Sequence, residues 1–467
     1  MNLIFCLYFR VQVREFQKQL KCLIITKRNI NYVSRLFQPQ NIAPKNSKVK
    51  VDEVSSKSQR LMVDLGIVKQ ATSGSFHLLP LGERALHKLT CLVDEEMERI
   101  GAQKLLLPLL TPGELWRKTG RWDETREELF TLQDRHNKEF VLSPTHEEAI
   151  TELVATISKL SYRQLPLKLY QITSKFRDEM RPRFGLLRGK EFIMKDLYSF
   201  DATIEGATET YKIVSTAYES ILNKIGIKHI RVVAAAGVMG GSLSHEFHFP
   251  ANVGEAQIFT CSSCGHTVNI ETSTGDRCDK CGSTSVTSTT GIEVGHTFLL
   301  GTKYSKPLNA NYTTASGKSE LLQMGSYGLG MTRLLAAAIE YLSLPDEIRW
   351  PLAFTPYTIC IIPPKEGSKE SSIIHLAEDM YHKLESVNKL KNNVIIDNRT
   401  DLTIGKRVYE ARRTGYPYIV VIGRKAMQQV PLFEVYDVLK NHETSLEESP
   451  LIDYFTQLCS ILKKGYE

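Results

Sequence analysis

The stretch KFRDEMRPRFGLLRGKEFIMKDLYSF, from Lys175 to Phe200, carries arginines and carboxylates in two segments with apolar flanks. A loop that contains Pro182 and Gly185 joins the segments, so the pattern predicts a hairpin that presents charge to a polyanion. Arg177 and Glu179 stand two residues apart. At the strand period of two, both would lie on one face of the hairpin.

The side chains of this hairpin suit a nucleotide. A guanidinium such as that of Arg177 binds a phosphate through two hydrogen bonds, and a carboxylate such as that of Glu179 accepts from a purine amino group. Phe192 on the returning segment offers a ring on which a base could stack. The alternative is a solvated basic loop between ordinary strands.

A second segment agrees with the nucleotide interpretation. MGSYGLGMTRLLAAAIEYL places Gly325, Gly328 and Gly330 before an apolar helix, with Arg333 on the first turn of that helix. Glycines allow a backbone to approach a ligand closely, and a helix N-terminus favours anions. Alone, such a run is more often a close packing contact, but together with the hairpin it indicates a phosphate site.

The two segments resemble the second and third motifs of class II aminoacyl-tRNA synthetases. The resemblance is most specific to prolyl-tRNA synthetases of the bacterial and mitochondrial type, and it extends from about Ser58 into the C-terminal region. The strings LWRKTGRW, PTHEEAIT, FRDEMRPRFG, EFIMKDLYSF, SHEF, GIEVGHTFLLGTKYS and MGSYGLGMTR occur in the order of that family. Pro108 resembles the proline of the first motif, which lies at a dimer interface in this class, although a proline at a strand end is an equally good interpretation.

The resemblance implies a role for each matching residue. It places Arg177 and Arg333 as catalytic residues, and it implies an ATP site formed by Arg177, Glu179, Arg188, Phe192, Glu293, Gly330 and Arg333. Thr145, Glu147 and His296 would hold proline. Thr145 and Glu148 also fit a helix capping box, and Glu293 and His296 could be satisfied polar groups within a sheet.

The implied reaction is the ATP-dependent ligation of L-proline to tRNA(Pro) through a prolyl-adenylate, with magnesium. In that reaction the carboxylate of proline attacks the α-phosphorus of ATP, and catalysis rests on positioning and on neutralising charge. The resemblance also implies a homodimer. Two other functions stay open, namely a threonyl or seryl synthetase of the same subclass and a non-catalytic RNA-binding accessory protein.

The element pattern predicts an α+β catalytic domain with a largely antiparallel sheet over residues 51–350. After Trp350 the pattern changes to alternating strands and helices, which predicts an α/β domain over residues 351–467. The family resemblance makes this second domain an anticodon-binding domain, with Asp397, Arg399 and Lys406 as weak candidates for anticodon contacts.

Residues 1–50 contain ten lysines and arginines opposed only by Glu15, with apolar residues interspersed. That composition is typical of a mitochondrial transit peptide, so we expect a leader or disordered segment over residues 1–50 and a location in the mitochondrial matrix. The apolar start MNLIFCLYF is too short to cross a bilayer, and we expect no membrane span. The net charge of +7 is compatible with RNA binding but does not establish it.

Four of the nine cysteines form two Cys-x-x-Cys pairs, Cys261 with Cys264 and Cys278 with Cys281. Gly265 and Gly282 follow the pairs and permit the turns that would aim four thiolates at one ion. We expect a structural zinc in a ribbon-like hairpin over residues 258–290. Redox disulfides or unfilled knuckles are the alternatives, and His266 could compete as a ligand.

The position of this hairpin has a further implication. Many bacterial relatives carry an editing domain between the second and third motifs. Here only residues 248–290 lie between SHEF and GIEVGH, which is short for an independent domain. We therefore expect no editing domain, with the zinc hairpin in its place.

Overall fold

The computed structural model describes residues 30–40, 56–157, 160–270 and 277–464. The N-terminal and catalytic part contains α1 Lys57–Asp64, β1 Val68–Thr72, β2 Ser75–Leu78, α2 Pro80–Arg99, β3 Gln103–Lys104, β4 Leu110–Pro112, α3 Gly113–Lys118, α4 Arg121–Glu124, β5 Phe130–Gln133, β6 Glu139–Leu142, α5 Glu147–Thr156, β7 Leu167–Phe176, β8 Glu191–Asp201, α6 Ile204–Ile225, β9 Ile230–Val233, β10 Leu243–Pro250, β11 Ala256–Cys261, β12 Thr267–Asn269, β13 Val286–Gly301, β14 Asn311–Thr313, β15 Ser319–Leu321, β16 Gln323–Gly330 and α7 Met331–Leu342.

A nine-stranded sheet organises this part within the described residues, in the order β10-β9-β12-β11-β13-β16-β8-β7-β3. Neighbours from β13 to β7 are antiparallel, whereas β3 pairs with β7, and β12 with β9, in parallel. The hairpin predicted from the opening stretch is the β7–β8 pair, which lies between β16 and the short edge strand β3. The predicted α+β class with an antiparallel sheet is confirmed.

Helices α2, α6 and α7 cover one face of the sheet. Their apolar positions form one cluster with residues of the strands, including Leu89, Tyr218, Leu334, Leu197 and Leu329. Helix α6 begins where the Thr203 hydroxyl accepts from the Gly206 amide at 3.1 Å, and it ends at Gly226, whose φ of 80° is easily reached only by glycine. The helices leave the opposite face of the central strands for polar residues.

The KLLLPLL segment differs from the continuous strand that its apolar letters predict. Only Gln103–Lys104 and Leu110–Pro112 are strands, and Pro108 lies in the connection between them. Because proline has no amide hydrogen, it cannot donate to a sheet at that position. Pro108 is exposed, and Leu106 beside it has 78% of its surface accessible.

The C-terminal part has β17 Ile359–Ile362, α8 Leu376–Ser386, β18 Val394–Ile396, α9 Ile404–Thr414, β19 Tyr418–Val421, β20 Phe433–Asp437, β21 His442–Leu446 and α10 Glu448–Lys464. Its sheet has the order β18-β17-β19-β20-β21, with parallel pairing around β17 and antiparallel pairing beyond β19. The α/β domain predicted after Trp350 is confirmed as a fold.

The leader predicted over residues 1–50 lies outside the described residues except for residues 30–40. That short stretch does not fit a disordered leader, because it packs on the C-terminal sheet. Tyr32 forms a parallel bridge with Ile396, and its hydroxyl donates to Glu378 at 2.6 Å. A backbone that pairs with a sheet edge satisfies its polar groups there, which basic composition alone does not reveal.

Candidate functional site

The candidate site lies on the sheet face opposite the helices. Phe192, Asp196 and Tyr198 alternate along β8 on this face, and the β16 partners opposite Asp196 and Tyr198 are Gly328 and Ser326. A Cβ at Gly328 would meet Met194 only at ordinary contact distance, 3.6 Å from its sulfur, so the missing side chain leaves space above the sheet. At Gly325 a Cβ would lie 2.2 Å from the Tyr327 hydroxyl, so that glycine serves packing and not ligand approach.

Arg177 follows the last residue of β7, which ends at Phe176. The strand alternation predicted through Glu179 is therefore wrong, because the chain turns here and the Glu179 amide donates to the Arg177 carbonyl at 2.7 Å. The guanidinium carbon of Arg177 lies 5.2 Å from the centre of the Phe192 ring. The two residues predicted to contact phosphate and base are thus neighbours.

The charge of Arg177 lacks a partner. Among the described residues, no carboxylate forms an ion pair with its guanidinium. Burial, together with the like charge of Arg333, lowers the pKa of Arg177 from its usual value. Two guanidiniums that repel each other in a half-buried place would be stabilised by an anion.

Arg333 lies on the first turn of α7, as predicted. Its Nε donates to the Leu187 carbonyl at 2.9 Å, and its Nη1 donates to the Glu293 carbonyl at 3.2 Å. Nη1 also lies 3.7 Å from the Glu293 carboxylate. A Cβ at Gly330 would come within 3.3 Å of the Arg333 Cβ, so the absence of a side chain at Gly330 leaves room for the arginine.

Glu179 and Arg188 lie together at the edge of this site. Arg188 donates from Nη2 to Glu179 Oε1 at 2.9 Å, and its Nε lies 2.9 Å from Oε2, which gives a paired geometry. Arg188 also contacts the carboxylate of Glu255, which precedes the cysteine hairpin. Both predicted ATP-site residues are therefore engaged with each other in this structure.

Thr145 and Glu147 come together at the start of α5. The Thr145 hydroxyl lies 2.7 Å and 2.9 Å from the two carboxylate oxygens of Glu147, and Ser326 donates to Glu147 Oε1 at 2.8 Å. The capping box predicted from Thr145 and Glu148 is wrong. The N-cap of α5 is His146, which has no side-chain cap, and Glu148 binds Arg121 instead.

Arg121 is the residue that sequence reasoning missed. Its Nη1 lies 3.2 Å from Glu147 and 3.1 Å from Glu148, and all three side chains are buried. Although burial opposes it, the charges of Glu148 and Glu147 raise the pKa of Arg121, while burial raises the pKa of Glu148. The LWRKTGRW string contained Arg121, but only the fold brings it to PTHEEAIT.

Glu293 and His296 lie on β13 with Glu246 of β10 nearby. His296 Nδ1 is 3.3 Å from Glu293 and 3.9 Å from Glu246, and its Nε2 is 2.6 Å from the Ser244 hydroxyl. Burial opposes ionisation of Glu293, but the hydrogen bond and charge of His296 hold its pKa below the usual value. One ligand atom from each of Glu246, Glu293 and His296 lies within 4.8 Å of the others, a set suited to a cation.

The four cysteines of the predicted zinc hairpin converge. Cys261 Sγ lies 3.6 Å from Cys281 Sγ, and Cys264 Sγ lies 3.6 Å from Cys278 Sγ. Four thiolates around one zinc at about 2.3 Å would be ~3.8 Å apart, so the observed spacing fits the ion. Gly265 and Gly282 both have positive φ, as expected for the turns after each pair.

The three candidate anticodon residues differ in how far other side chains already bind them. Asp397 is buried and accepts from Arg399 Nη2 at 2.6 Å, and Arg399 also pairs with Glu410 at 2.8 Å. Lys406 is exposed on the first turn of α9. Asp397 and Arg399 thus bind each other, whereas the ammonium of Lys406 forms no ion pair within the described residues.

The comparisons with known proteins agree with the geometry. A model of the class II tRNA synthetase core domain (G, H, P, S and T) matches residues 130–342, and an anticodon binding domain model matches residues 358–458. No helix in the described part of the chain is long and apolar enough to cross a membrane.

Curated relatives cover most of the chain. A probable mitochondrial proline–tRNA ligase of Homo sapiens is 47% identical over 92% of this chain and 91% of its own length. A proline–tRNA ligase of Sulfurimonas denitrificans is 35% identical over 91% of this chain and 99% of its own. A crystal structure of prolyl-tRNA synthetase from Cryptosporidium parvum shares the fold, with a TM-score of 0.71 at 16% identity over 88% of this chain and 75% of that chain. The chain therefore belongs to the prolyl-tRNA synthetase family of class II aminoacyl-tRNA synthetases.

Proposed function

We propose that the two halves of this site carry the proline–tRNA ligase reaction, with Arg177 and Arg333 on ATP and Thr145 and Glu147 on proline. The family membership makes the chain an ATP-dependent proline–tRNA ligase, and its relatives with mitochondrial names make it a mitochondrial one. We place it in the matrix, where organellar translation requires charged tRNA(Pro).

The observation that carries the proposal is the unpaired cation at Arg177 beside Arg333. In the first step an oxygen of the proline carboxylate attacks the α-phosphorus, the bond to the β-phosphate oxygen breaks, and pyrophosphate leaves. Negative charge then develops on phosphate oxygens, where two preorganised guanidiniums stabilise it. Phe192, next to Arg177, supplies the ring for adenine, and Glu179 and Arg188 exchange their mutual contact for the base and the outer phosphates.

The proline half has one unfilled place for a cation. Arg121 contributes one positive charge against the two carboxylates of Glu147 and Glu148, so an ammonium restores neutrality when both are ionised. The Glu147 carboxylate accepts from Thr145, Ser326 and Arg121, while a carboxylate offers about four acceptor positions. The ammonium of proline would take the remaining position, with His296 at the border of the pocket.

In the second step a ribose hydroxyl of the terminal adenosine of tRNA attacks the carbonyl of the adenylate and AMP leaves. Glu293, with Glu246 beside it, would hold the magnesium that neutralises phosphate charge. In the C-terminal domain, Lys406 would contact the anticodon, and Asp397 and Arg399 would support the loop before α9. The exposed Leu106 and Pro108 support a homodimer contact at this edge.

We propose further that Cys261, Cys264, Cys278 and Cys281 bind one structural zinc. Burial raises the pKa of Cys261, but the backbone amides of Cys264 and Ser263 lower it to about 6. Elemental analysis of freshly prepared protein should find about one zinc per chain, and Cys261→Ser with Cys281→Ser should abolish it. The matched control, Cys91→Ser, changes an exposed cysteine away from the cluster and should leave the zinc content unchanged.

Pyrophosphate exchange with single amino acids tests the proposed ligase. Proline should support exchange of label between pyrophosphate and ATP, whereas threonine and serine should not. Exchange with threonine or serine in place of proline would overturn the assignment. The non-catalytic alternative is disfavoured, since Arg177, Arg333 and Glu147 are all present in a convergent arrangement.

A further inference from the structure

A chain of buried polar groups lies directly behind the proline half. The backbone amide of His146 donates to the Tyr198 hydroxyl at 2.8 Å, and the Thr145 hydroxyl is 3.3 Å from the same oxygen. Tyr198 in turn donates to Asp196 Oδ2 at 2.8 Å. Helix α5 lacks a side-chain cap at His146, but the Tyr198 hydroxyl satisfies the backbone amide of His146 itself from across the fold.

Asp196 is itself fixed by two further groups. Lys175 Nζ lies 2.8 Å from Asp196 Oδ1, and Gln171 Nε2 donates to Oδ2 at 3.0 Å. Lys175 and Asp196 are 0% and 2% exposed, and a buried ion pair holds its geometry because either charge alone would be costly there. The Asp196 carboxylate is therefore a rigid acceptor for Tyr198.

The other end of this series of buried polar groups lies in the connection between β3 and β4. Gln171 Oε1 accepts from the Leu107 amide at 3.0 Å, and His146 Nε2 lies 3.0 Å from the Pro108 carbonyl. A carbonyl oxygen only accepts, so Nε2 of His146 carries a proton. Burial and the charge of Lys175 lower the pKa of His146. The turn from Thr145 to Glu147 is thus attached at two independent places.

We propose that Asp196, acting through Tyr198, is a positioning residue for proline: it fixes the turn that carries Thr145 and Glu147. The inference rests on the proposed function and assigns new residues to the same site. Asp196 and Tyr198 are both buried, so they act on the site from beneath it. Their effect passes through the His146 amide, which fixes the backbone between Thr145 and Glu147 and so the Glu147 carboxylate. Misplacing that carboxylate weakens the contact with the proline ammonium and leaves the ATP half unchanged.

Tyr327 provides a matched control. It lies on β16 beside β8, it is buried like Tyr198, and its hydroxyl contacts Ser199 at 3.2 Å. Tyr327 packs with the helix-covered face, whereas Tyr198 belongs to the cluster beneath the site. Replacing either tyrosine with Phe removes one buried hydroxyl, but only the hydroxyl of Tyr198 supports the turn from Thr145 to Glu147.

The experiment measures exchange kinetics at varied proline and varied ATP. Tyr198→Phe should raise the KM for proline about tenfold, as expected when the hydrogen bond that holds the His146 amide is lost, with the KM for ATP within about twofold of the original. Tyr327→Phe should change neither constant. Asp196→Asn should follow Tyr198→Phe in direction, with Asp201→Asn as its control, since Asp201 is equally buried on β8 but accepts from Thr210 at 2.7 Å.

The outcomes distinguish a failure of the positioning role from a failure of the ligase assignment. If Tyr198→Phe leaves the KM for proline unchanged, or raises the KM for ATP by the same factor, the positioning role is overturned while the ligase assignment stands. Absence of proline-dependent exchange in the unmodified protein would overturn the ligase assignment and this role with it. Should Asp196→Asn fail to fold, Tyr198→Phe decides alone, because it preserves the ion pair of Lys175.

Discussion

The proline half and the ATP half of the site differ in how far their charges are paired before any substrate binds. In the proline half, Glu147 and Glu148 share Arg121, and every partner is buried. In the ATP half, Arg177 is half-buried with Arg333 as a like-charged neighbour. The difference matches the ligands: a small zwitterion fits a nearly complete cluster, and a polyanion needs cations left unpaired.

The largest expected effect is a loss of stability when the buried cation of the proline half is removed. Arg121→Met should lower the free energy of unfolding by about 3–5 kcal/mol, because it leaves two buried carboxylates without their cation. Urea unfolding followed by circular dichroism measures this change. The control, Arg231→Met, breaks an exposed pair with Glu219 and should cost about 1 kcal/mol or less. Equal losses in both variants would contradict the paired character of the proline half.

The second effect is on catalysis. Arg177→Ala and Arg333→Ala should each slow proline-dependent exchange by about a hundredfold or more, since each cation acts on charge that develops on phosphate. Arg177→Ala should leave the unfolding midpoint nearly unchanged, because no ion pair is lost. Near-normal exchange in both variants would remove the ATP half from the site, and Arg231→Ala serves as the control with full activity.

The third effect concerns selectivity in the proline half. A pocket that fits proline discriminates weakly against alanine, since each missing methylene is worth only about 1–3 kcal/mol. The enzyme should therefore form alanyl-adenylate at a measurable rate and fail to deacylate alanyl-tRNA. Between β10 and β13 the described residues form strands β11 and β12 and the cysteine hairpin. Clearance of alanyl-tRNA well above spontaneous hydrolysis would show an editing site elsewhere.

The smallest effect is on salt dependence. Raising the salt concentration from about 0.05 M to about 0.2 M should raise the KM for ATP about two- to threefold and leave the KM for proline nearly constant, because exposed charges are screened and buried ones much less so. Steady-state exchange at constant magnesium measures both constants. An equal response of the two KM values would show that the halves do not differ in exposure.

Local patterns were enough to predict much of this molecule. The β7–β8 hairpin, Arg333 on the first turn of α7 and the α/β fold after Trp350 were all expected and are confirmed. Each depends on residues close in sequence, where periodicity, glycine and caps act directly. The convergence of the four cysteines follows from spacing for the same reason.

The tertiary structure alone decided which charges meet. Arg121 lies in a different element from Glu147, and Tyr198 reaches His146 across the fold, so no local rule reveals either contact. Local rules also failed at Thr145, where a capping box gave way to a hydrogen bond with Glu147, and at residues 30–40, where a basic stretch became part of a sheet edge. The sequence by itself determined the family, the hairpin and the helix ends, because these depend on neighbouring residues. The pairing of buried charges was left to the fold, because burial makes a polar group take whichever partner the packed chain brings near.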